Sequence, residues 1–445
     1  MSATIAAIAT AGGVGSIAIV RLSGPQALSI ARTIAPNASL TPRQADLTSL
    51  YDAHDTLIDR AIVLSFPAPH SFTGEDIAEF QCHGGRVVAE AILEATLVHG
   101  ARLAEPGEFS KRAFLNGKID ASEAEAIAKL IEAQSSDAAR ILARQLKGEL
   151  GRFVERTRED LLRALAHSEV MIDYAEDVPQ DVTAGLLGQL EDLSRTLERI
   201  VESSHRRRGL IEGFRVAIVG KPNVGKSSLL NALLDDDRAI VSDIAGTTRD
   251  TIEEAVRIAS HVIRLIDTAG IRSSEDTIEQ IGVKRSLHSI EEADVVIALF
   301  DGSRPFDAED EHIVTLLKNV QDKGVIAAIN KSDLPQRFDR ETLMPFRPIT
   351  ISALNGFEHL IEALRRHLDA LGEGEDLLLT TARQIEAVTA ARGAIEAARK
   401  PLEVGELELF SFHLHEALRQ ISSITHPYEN DEMLDQMFGE FCLGK

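Results

Sequence analysis

Cysteine and long apolar runs are both scarce in this 445-residue sequence. Its two cysteines, Cys82 and Cys442, lie far apart. A disulfide-stabilised scaffold is therefore disfavoured, and a reducing, cytoplasmic environment is expected. No run of about 18 apolar residues occurs, which leaves no candidate transmembrane helix. No basic segment precedes the apolar stretch near the N-terminus, so no signal peptide is expected.

Positive charge is also in short supply. The chain has 47 Lys and Arg against 70 Asp and Glu, a formal net charge of −23. Such a protein attracts nucleic acid poorly, and an RNA contact would need a local basic patch. The dense basic cluster at residues 205–208 is interpreted as a solvent-exposed helix end, with a phosphate contact as the alternative.

The chain is long enough for two to four domains, and its pattern changes along its length. Residues 1–118 mix short β-like runs with Gly and Pro, which is typical of a small α/β or α+β domain. Residues 119–210 and 376–445 show apolar positions at helical spacing. Residues 211–375 alternate buried strand-like and helical runs, which predicts a doubly wound parallel sheet.

The expected architecture is therefore multidomain, α/β plus all-α. Two helical blocks flank the doubly wound domain, and amphipathic helices must bury their apolar faces. The simplest arrangement packs the two blocks on each other, with the doubly wound domain inserted between them. The predicted strands are residues 16–22, 61–66, 77–82, 214–219, 262–266, 295–300, 325–329 and 349–351.

A phosphate-binding loop is the strongest motif. Residues 220–227, Gly-Lys-Pro-Asn-Val-Gly-Lys-Ser, fit G-x-x-x-x-G-K-[ST] between a strand-like and a helical run. The glycines let backbone N–H groups close around phosphate oxygens at a helix N-terminus. Lys226 is expected to reach the β- and γ-phosphates, and the Ser227 hydroxyl to ligate Mg²⁺.

Two further motifs follow predicted strands. In residues 267–270, Asp-Thr-Ala-Gly, Asp267 is expected near Mg²⁺ and the Gly270 N–H at the γ-phosphate. In Asn-Lys-Ser-Asp at 330–333, the Asp333 carboxylate can accept hydrogen bonds from guanine N1–H and N2–H₂. Adenine lacks that donor pair, so Asp333 predicts specificity for GTP. Ser352 and Ala353 are a further candidate guanine contact.

The motifs do not single out one residue that activates the attacking water. Thr248, in Gly-Thr-Thr-Arg-Asp at residues 246–250, is the candidate that completes the Mg²⁺ shell. Ile271 follows Gly270, where many small GTPases have a water-orienting glutamine, and isoleucine has no polar group for that task. Two arginines and three carboxylates are open alternatives. They are Arg249, Arg272, Glu275, Asp276 and Glu279.

Further motifs are spread across the whole chain. They are Ser-Phe-Thr-Gly-Glu-Asp at 71–76, His-Gly-Gly at 83–85, Pro-Gly-Glu-Phe at 106–109, Arg-Ala-Phe-Leu-Asn-Gly-Lys at 112–118, Asp-Ile-Ala-Gly-Thr-Thr-Arg-Asp at 243–250 and Phe-Cys-Leu-Gly-Lys at 441–445. Together these motifs resemble those of the MnmE (TrmE) family of tRNA modification GTPases, and the resemblance covers essentially all 445 residues.

The resemblance implies a tRNA-modifying enzyme. With a flavin-dependent partner, MnmG (GidA), the family uses GTP hydrolysis to place an aminomethyl or carboxymethylaminomethyl group on C5 of wobble uridine 34. The implied domains are a tetrahydrofolate-binding and dimerisation domain at 1–118, a helical domain from 119–210 and 376–445, and a G domain at 211–375. The implied cofactors are Mg²⁺, K⁺ and 5-formyl- or methylene-tetrahydrofolate. The implied assembly is a homodimer that forms a heterotetramer or larger complex with MnmG.

The motifs and the resemblance together imply a set of nucleotide contacts. These positions are Asn223, Val224, Gly225, Lys226, Ser227, Ser228, Ser242, Asp243, Ile244, Ala245, Gly246, Thr247, Thr248, Asp267, Thr268, Ala269, Gly270, Asn330, Lys331, Asp333, Ser352 and Ala353. The resemblance also implies four K⁺ positions, and it selects Glu279 as the residue that positions water. The K⁺ positions are Asn223, Ser242, Ile244 and Thr247.

The family pattern further implies a folate site. Its positions in this chain are Arg21, Glu79, Lys118 and Lys445. Cys442 lies beside this site in the pattern, and both a direct chemical role and an incidental one stay open. Cys82 is interpreted as structural. The loop at residues 10–15 and the segment 426–431 depart from the family pattern.

A rival hypothesis is a regulatory GTPase switch in ribosome or RNA assembly, without one-carbon chemistry. The nucleotide motifs fit this alternative equally well. Residues 1–118 and the Cys-x-Gly-Lys tail discriminate, because the rival has no use for a folate site.

Overall fold

The chain divides into two units in this computed structural model. The structure describes residues 3–173, 180–235, 254–266, 289–320, 323–374 and 377–427, with Leu434, residues 437–439, Phe441 and Gly444. The first unit comprises residues 1–131, 144–187 and 393–445, and the second comprises residues 132–143 and 188–392. No helix among the described residues is both long and apolar enough to span a membrane.

The first unit contains a six-stranded sheet. Its strands are β1 (Ile5–Ile8), β2 (Ile17–Ser23), β3 (Asp46–Tyr51), β4 (Leu57–Phe66), β5 (Ile77–His83) and β6 (Arg102–Leu103). Their order across the sheet is β3-β4-β5-β2-β1-β6. The pairs are antiparallel except for β1 with β6. Alternation along β2 sends Val20 and Leu22 to one face and Arg21 to the other.

Helices cover both faces of this sheet. Helices α1 (Ala27–Ile34) and α2 (Arg86–Val98) bury their apolar residues against one face, in a core that includes Val20 and Phe80. On the other face, Phe109 of α3 (Glu108–Leu115) packs with Ile5 and Ala7 of β1. The sheet is therefore fixed on both sides, and the polar face of β2 and β5 lies on the α3 side.

Long helices follow the sheet. They are α4 (Ala121–Glu132), α5 (Ser136–Leu146), α6 (Glu149–Asp173), α7 (Gln180–Arg206) and α8 (Gly209–Glu212), and later α12 (Ala382–Val404) and α13 (Leu407–Ser422). Helices α6 and α13 pack along each other, although α6 precedes the second sheet in sequence and α13 follows it. Their contact brings the two flanking helical blocks together, and the insertion of the doubly wound domain between them stays a prediction. The domain boundaries at residues 118, 210 and 375 stay a prediction.

The second unit holds a six-stranded sheet of the doubly wound type. Its strands are β7 (Phe214–Gly220), β8 (Glu254–Ile258), β9 (His261–Ile266), β10 (Val295–Asp301), β11 (Gly324–Asn330) and β12 (Ile349–Thr350). Their order is β12-β11-β10-β7-β9-β8. All pairs are parallel except the edge pair β8 and β9. Its helices include α9 (Lys226–Asp235), α10 (Ala308–Lys318) and α11 (Glu358–Gly372).

The predicted strands are confirmed in place, with small differences at their ends. Strands β1, β3, β6 and β8 were not predicted. One interpretation is wrong in part: the cluster at residues 205–208 is not wholly solvated, because Arg207 is buried. Its guanidinium lies close to the backbone of Gly374, far away in sequence, while Arg208 is exposed and pairs with Glu212.

Candidate functional site

The phosphate-binding loop joins the central strand β7 to α9. Val216 to Val219 of β7 are buried between parallel neighbours, so the loop leaves the sheet from a rigid base. Helix α9 begins at Lys226, with Ser227 and Ser228 in its first turn. The N–H groups at the N-terminus of a helix favour an anion, so this turn suits a phosphate group.

Position 225 must be glycine because Asn330, the first residue of the guanine motif, lies very close to it. The φ of Gly225 is +104°, and a Cβ atom there would lie 2.3 Å from Asn330 Nδ2. Any side chain at position 225 would displace that amide. The two motifs that the sequence places far apart are thus in direct contact.

Lys226 points its ammonium group into the phosphate-binding loop. Its Nζ donates to the carbonyl oxygens of Gly220 and Lys221, at 2.8 and 2.7 Å. Burial lowers the pKa of Lys226. Among the described residues, no carboxylate forms an ion pair with it. Within the described part of the chain, this positive charge therefore has no carboxylate partner, and such a charge suits a phosphate group.

The guanine motif holds the phosphate-binding loop by its carbonyl groups. Asn330 Nδ2 donates to the Val224 carbonyl at 2.8 Å, and its Oδ1 accepts from the Ala353 N–H at 2.9 Å. Lys331 Nζ donates to the Asn223 carbonyl at 2.9 Å. Consecutive residues of one motif therefore fix consecutive carbonyls of the other.

Asp333 is positioned by the loop that contains Ser352 and Ala353. The Ser352 hydroxyl donates to Asp333 Oδ1 at 2.7 Å. Ser352 itself is anchored by backbone hydrogen bonds with Gly356. Ser352 thus orients the carboxylate that is expected to read the base. This contact links the two predicted guanine-binding elements, Asp333 and the loop of Ser352 and Ala353.

Two contacts at the loop involve charged residues to which the motifs gave no role. Asp301, at the carboxyl end of β10, accepts from Lys331 Nζ at 2.7 Å. Lys221 pairs with Asp307 and Asp310 at 2.6 and 2.7 Å. A signal for Asp301 was available, because polar residues at the carboxyl ends of buried parallel strands line the ligand edge of such sheets.

The predicted folate residues of the first unit lie on the face of β2 and β5 opposite α1 and α2. Arg21 and Glu79 are directly opposite each other in the strand register, and Arg21 Nε lies 2.7 Å from Glu79 Oε1. The Arg21 guanidinium also lies 5.7 Å from the centre of the Phe109 ring. Their side chains are 22% and 13% exposed, so both remain reachable and are not ordinary surface charges.

Lys118 lies toward one end of the same strands. Its side chain runs past Gly74, where a Cβ atom would lie 3.0 Å from Lys118 Cε. Thr73, beside Gly74, has its hydroxyl 2.7 Å from that of Ser23, which is two residues from Arg21 on β2. Lys118 and the Arg21–Glu79 pair are therefore linked through one polar loop and one strand face.

A buried ion network supports this face. Arg112 of α3 pairs with Glu75 and Glu108 at 2.8 Å each, and Arg102 donates to Glu108 at 2.8 Å through Nη1. Burial raises the pKa of Glu108, but hydrogen bonds from Arg102, the Glu105 N–H and Arg112 outweigh it and lower the value to about 2. Glu75, Glu108 and Arg112 come from the motifs at 71–76, 106–109 and 112–118. Much of that signature therefore holds the fold together.

The last described residues pack on helix α3 and on strand β1 of the first unit. Phe438 lies 6.0 Å from Phe114 and 5.3 Å from Phe441, between ring centres. Gly444 lies against β1, where a Cβ atom would come within 2.5 Å of the Ile8 carbonyl. Gly444 of the Cys-x-Gly-Lys tail therefore lies beside the sheet that carries Arg21.

Several predicted site residues lie outside the described residues. They are Ser242, Asp243, Ile244, Ala245, Gly246, Thr247, Thr248, Arg249, Asp267, Thr268, Ala269, Gly270, Arg272, Glu275, Asp276, Glu279, Cys442 and Lys445. Within the described part of the chain, no three or more His, Cys, Asp or Glu side chains are grouped so as to hold a metal ion.

Two family models match the chain. The model described as "GTP-binding protein TrmE N-terminus" matches residues 4–118, and that described as "MnmE helical domain" matches residues 122–442. Among solved structures, one of Era with MgGDPNP and 16S ribosomal RNA nucleotides shares 30% identity over 41% of this chain and 66% of that chain. Its TM-score is 0.26, too low to indicate a shared arrangement.

Curated relatives match over the full length. A protein of Sulfurovum sp. (strain NBC37-1), named tRNA modification GTPase MnmE, is 63% identical over 100% of this chain and 99% of its own. Proteins of the same name from a Nitratiruptor species and from Sulfurimonas denitrificans are 58% and 56% identical, over at least 99% of each chain. The chain therefore belongs to the MnmE (TrmE) family of tRNA modification GTPases.

Proposed function

We propose that this chain hydrolyses GTP to drive the placement of an aminomethyl or carboxymethylaminomethyl group on C5 of wobble uridine 34 in tRNA. It works in the cytoplasm as a homodimer, with a flavin-dependent partner of the MnmG (GidA) type. The observation that carries the proposal is the union of a guanine motif and a phosphate-binding loop, within a chain that matches its relatives from end to end.

The guanine site supports GTP as the nucleotide. Ser352 holds one oxygen of Asp333, and the carboxylate so fixed can accept from the N1–H and N2–H₂ groups of guanine. Lys226 and the first turn of α9 supply donors for the phosphates. Base recognition and phosphate recognition share one rigid frame because Asn330 and Lys331 bridge the two loops.

The described residues fit the metal ions in part. Ser227 stands in the first turn of α9 beside Lys226, where its hydroxyl can ligate Mg²⁺ together with Thr248. Asn223, with Ser242, Ile244 and Thr247, would hold K⁺ at the phosphates. When bound, these ions counter the negative charge that develops on the phosphates during hydrolysis. Glu279 positions the attacking water, a task that Ile271 cannot perform.

The first unit supplies a surface for a folate. The Arg21 guanidinium keeps N–H donors beyond the one that binds Glu79, and Glu79 keeps its second oxygen. A cation for the anionic tail of tetrahydrofolate and an acceptor for its pterin donors thus stand side by side. Lys118 and Lys445 add positive charge, and Cys442 belongs to the tail whose Gly444 contacts β1.

Exposed apolar side chains on the first unit support a homodimer. Val14, Ile17, Leu57 and Val87 are 59% to 100% exposed and come from neighbouring parts of the same sheet region. Ile17 lies on β2 opposite His83 of β5, and the loop after Val14 binds Gly84. Such grouping on one region is a common feature of protein interfaces.

Nucleoside analysis of tRNA tests the proposal. Cells that lack this protein should lose the C5-modified wobble uridine, and the intact gene should restore it. A complementing Asp333→Asn gene should not restore it, because GTP recognition is lost. Normal wobble uridine in the deleted cells would overturn the proposal and favour the regulatory switch. Calorimetry on the full-length dimer with 5-formyl-tetrahydrofolate provides a second test, since the rival predicts no folate binding.

A further inference from the structure

The backbone of Asn223 has an unusual conformation that one hydrogen bond helps to hold. Its φ is +64°, in the left-handed region that residues with a side chain seldom adopt. Its carbonyl oxygen accepts from Lys331 Nζ at 2.9 Å. Because the orientation of this peptide sets the direction of the Asn223 side chain, the ammonium of Lys331 helps to aim that side chain.

Lys331 is in turn located by Asp301. The Asp301 side chain is 4% exposed, and its Oδ2 lies 2.7 Å from Lys331 Nζ. Its Oδ1 accepts from the backbone N–H and the hydroxyl of Ser303, at 3.0 and 2.6 Å. Both oxygens are occupied, so the carboxylate cannot rotate away without losing several bonds. The Lys331 ammonium is therefore held between the Asp301 carboxylate and the Asn223 carbonyl.

These contacts form a short relay from the carboxyl end of β10 to the phosphate-binding loop. Asp301 fixes the Lys331 ammonium, and the ammonium fixes the Asn223 carbonyl. The neighbouring Val224 carbonyl is held separately by Asn330. Loss of the Asp301 charge would therefore loosen Asn223 while the rest of the loop kept its anchors at Val224, Gly220 and Lys221.

We propose that Asp301 is a positioning residue for the monovalent cation of the GTPase reaction, acting through Lys331 on Asn223. The inference rests on the proposed K⁺ dependence and extends it to a residue outside the nucleotide motifs. It assigns Asp301 no contact with nucleotide or metal.

The test measures GTP turnover by the full-length protein against K⁺ concentration, with ionic strength held constant by Na⁺. Asp301→Asn keeps the shape of the side chain and removes its charge. Since charge-assisted hydrogen bonds are about twice as strong as neutral ones, we expect the K⁺ concentration for half-maximal turnover to rise about fivefold or more. Turnover at saturating K⁺ should stay within about twofold, because the catalytic groups are intact.

A matched control exists at the same carboxylate. Arg304 Nε lies 3.7 Å from Asp301 Oδ2, and its side chain is 70% exposed. Arg304→Ala removes a cation near Asp301 but leaves the bond to Lys331, so its K⁺ dependence should match that of the unaltered protein. If Asp301→Asn fails to fold, Asp301→Glu keeps the charge but displaces it, and the same shift of the K⁺ dependence in the same direction is expected.

Three results would overturn the inference. One is an unchanged half-maximal K⁺ concentration in Asp301→Asn while the unaltered protein responds to K⁺. Another is an equal loss of turnover at all K⁺ concentrations together with weaker GDP binding in Na⁺, which indicates a general structural role. The third is equal turnover of the unaltered protein in Na⁺ and K⁺, which also removes K⁺ from the proposed function.

Discussion

The two units use polar side chains in different ways. In the second unit, the side chains of Asn330, Lys331 and Lys226 hold backbone carbonyls of the phosphate-binding loop. In the first unit, Arg112 and Glu108 hold other side chains. The contacts in the second unit shape a backbone for a ligand, whereas those in the first unit fasten one helix to a sheet. A signature motif can therefore mark either a site or a scaffold, and only the contacts distinguish them.

The largest expected effect concerns base recognition. Asp333→Asn replaces an acceptor with an amide that also donates, so guanine N1–H and N2–H₂ lose an acceptor. We expect kcat/KM for GTP to fall by about a thousandfold or more, since sites built on polar pairing reject mismatched ligands strongly. Xanthosine triphosphate, which has a carbonyl in place of the amine, should recover much of the loss. Steady-state kinetics with both nucleotides checks this.

The control for that prediction is Asp339→Asn, an exposed aspartate of the same unit. Asp339→Asn should leave kcat/KM unchanged for both GTP and xanthosine triphosphate. Equal loss of activity toward GTP and xanthosine triphosphate in Asp333→Asn would mean that Asp333 supports the loop and does not read the base. The second unit would then resemble the first.

Arg112→Met should cost the first unit about 3–5 kcal/mol of stability, because it leaves two carboxylates without their buried cation. The Arg112 side chain is only 10% exposed and touches Glu75, Glu108 and the Ala3 carbonyl. Calorimetry of the full chain should show one transition at a lower temperature and the GTP-protected transition unchanged. Arg86→Ala, which removes an exposed pair with Glu90, should change the stability far less, because water screens such pairs. Similar costs for the two variants would contradict the scaffold interpretation.

The acid sensitivity of the first unit should follow Glu108. Its folded pKa of about 2 lies below the ordinary value of 4.5. Because the folded state lowers the pKa, the carboxylate stabilises above pH 4.5, and this stabilisation is lost as the pH falls toward 2. At about 1.4 kcal/mol per pKa unit, the contribution at pH 7 is about 3 kcal/mol.

The difference in stability between the unaltered protein and Glu108→Gln measures this directly. It should be constant from pH 7 to 5 and shrink below pH 4.5, as read from chemical denaturation at each pH. A difference that does not change with pH would show that hydrogen-bond geometry, and not charge, accounts for the effect of Glu108.

The smallest effect concerns Asp307 of the second unit. Its ion pair with Lys221 joins two side chains, as the ion pairs of the first unit do. Asp307 caps α10 through the N–H groups of Glu309 and Asp310 and is 54% exposed. Asp307→Ala should cost about 1 kcal/mol through loss of the cap. Thermal unfolding checks this, with Thr315→Ala on the exposed side of α10 as the control. A larger loss of stability in Asp307→Ala than in Arg112→Met would mean that ion pairs between side chains matter more to the second unit than to the first.

The sequence revealed the second sheet well because its central strands β7, β10 and β11 are largely buried on both faces and therefore mostly apolar. Strand β8 was missed because it is a five-residue edge strand, and Arg257 interrupts its apolar pattern. The Arg21–Glu79 pair could not be predicted, since the two residues are 58 apart and meet only through the register of β2 and β5. The burial of Arg207 against Gly374 likewise depends on tertiary packing.

The same reasoning explains which site residues were found. Lys226, Asn330 and Asp333 stand in motifs whose spacing follows from the shape of a nucleotide. Asp301 stands alone at a strand end, and its partner Lys331 becomes visible only when β10 and β11 lie side by side. Single polar residues after buried strands therefore warrant attention even outside motifs.

The packing of Phe438 and Phe441 on Phe114, Ala121 and Ala124 has a consequence for synthesis on the ribosome. The whole second unit is translated between the two halves of this cluster. Until residue 441 emerges, Phe114 and its neighbours lack their aromatic cover, and helices α3 and α4 of the nascent first unit carry an apolar patch. Such high contact order slows folding and leaves partly folded chains prone to associate. The first part of the chain to be made is thus among the last to be completed.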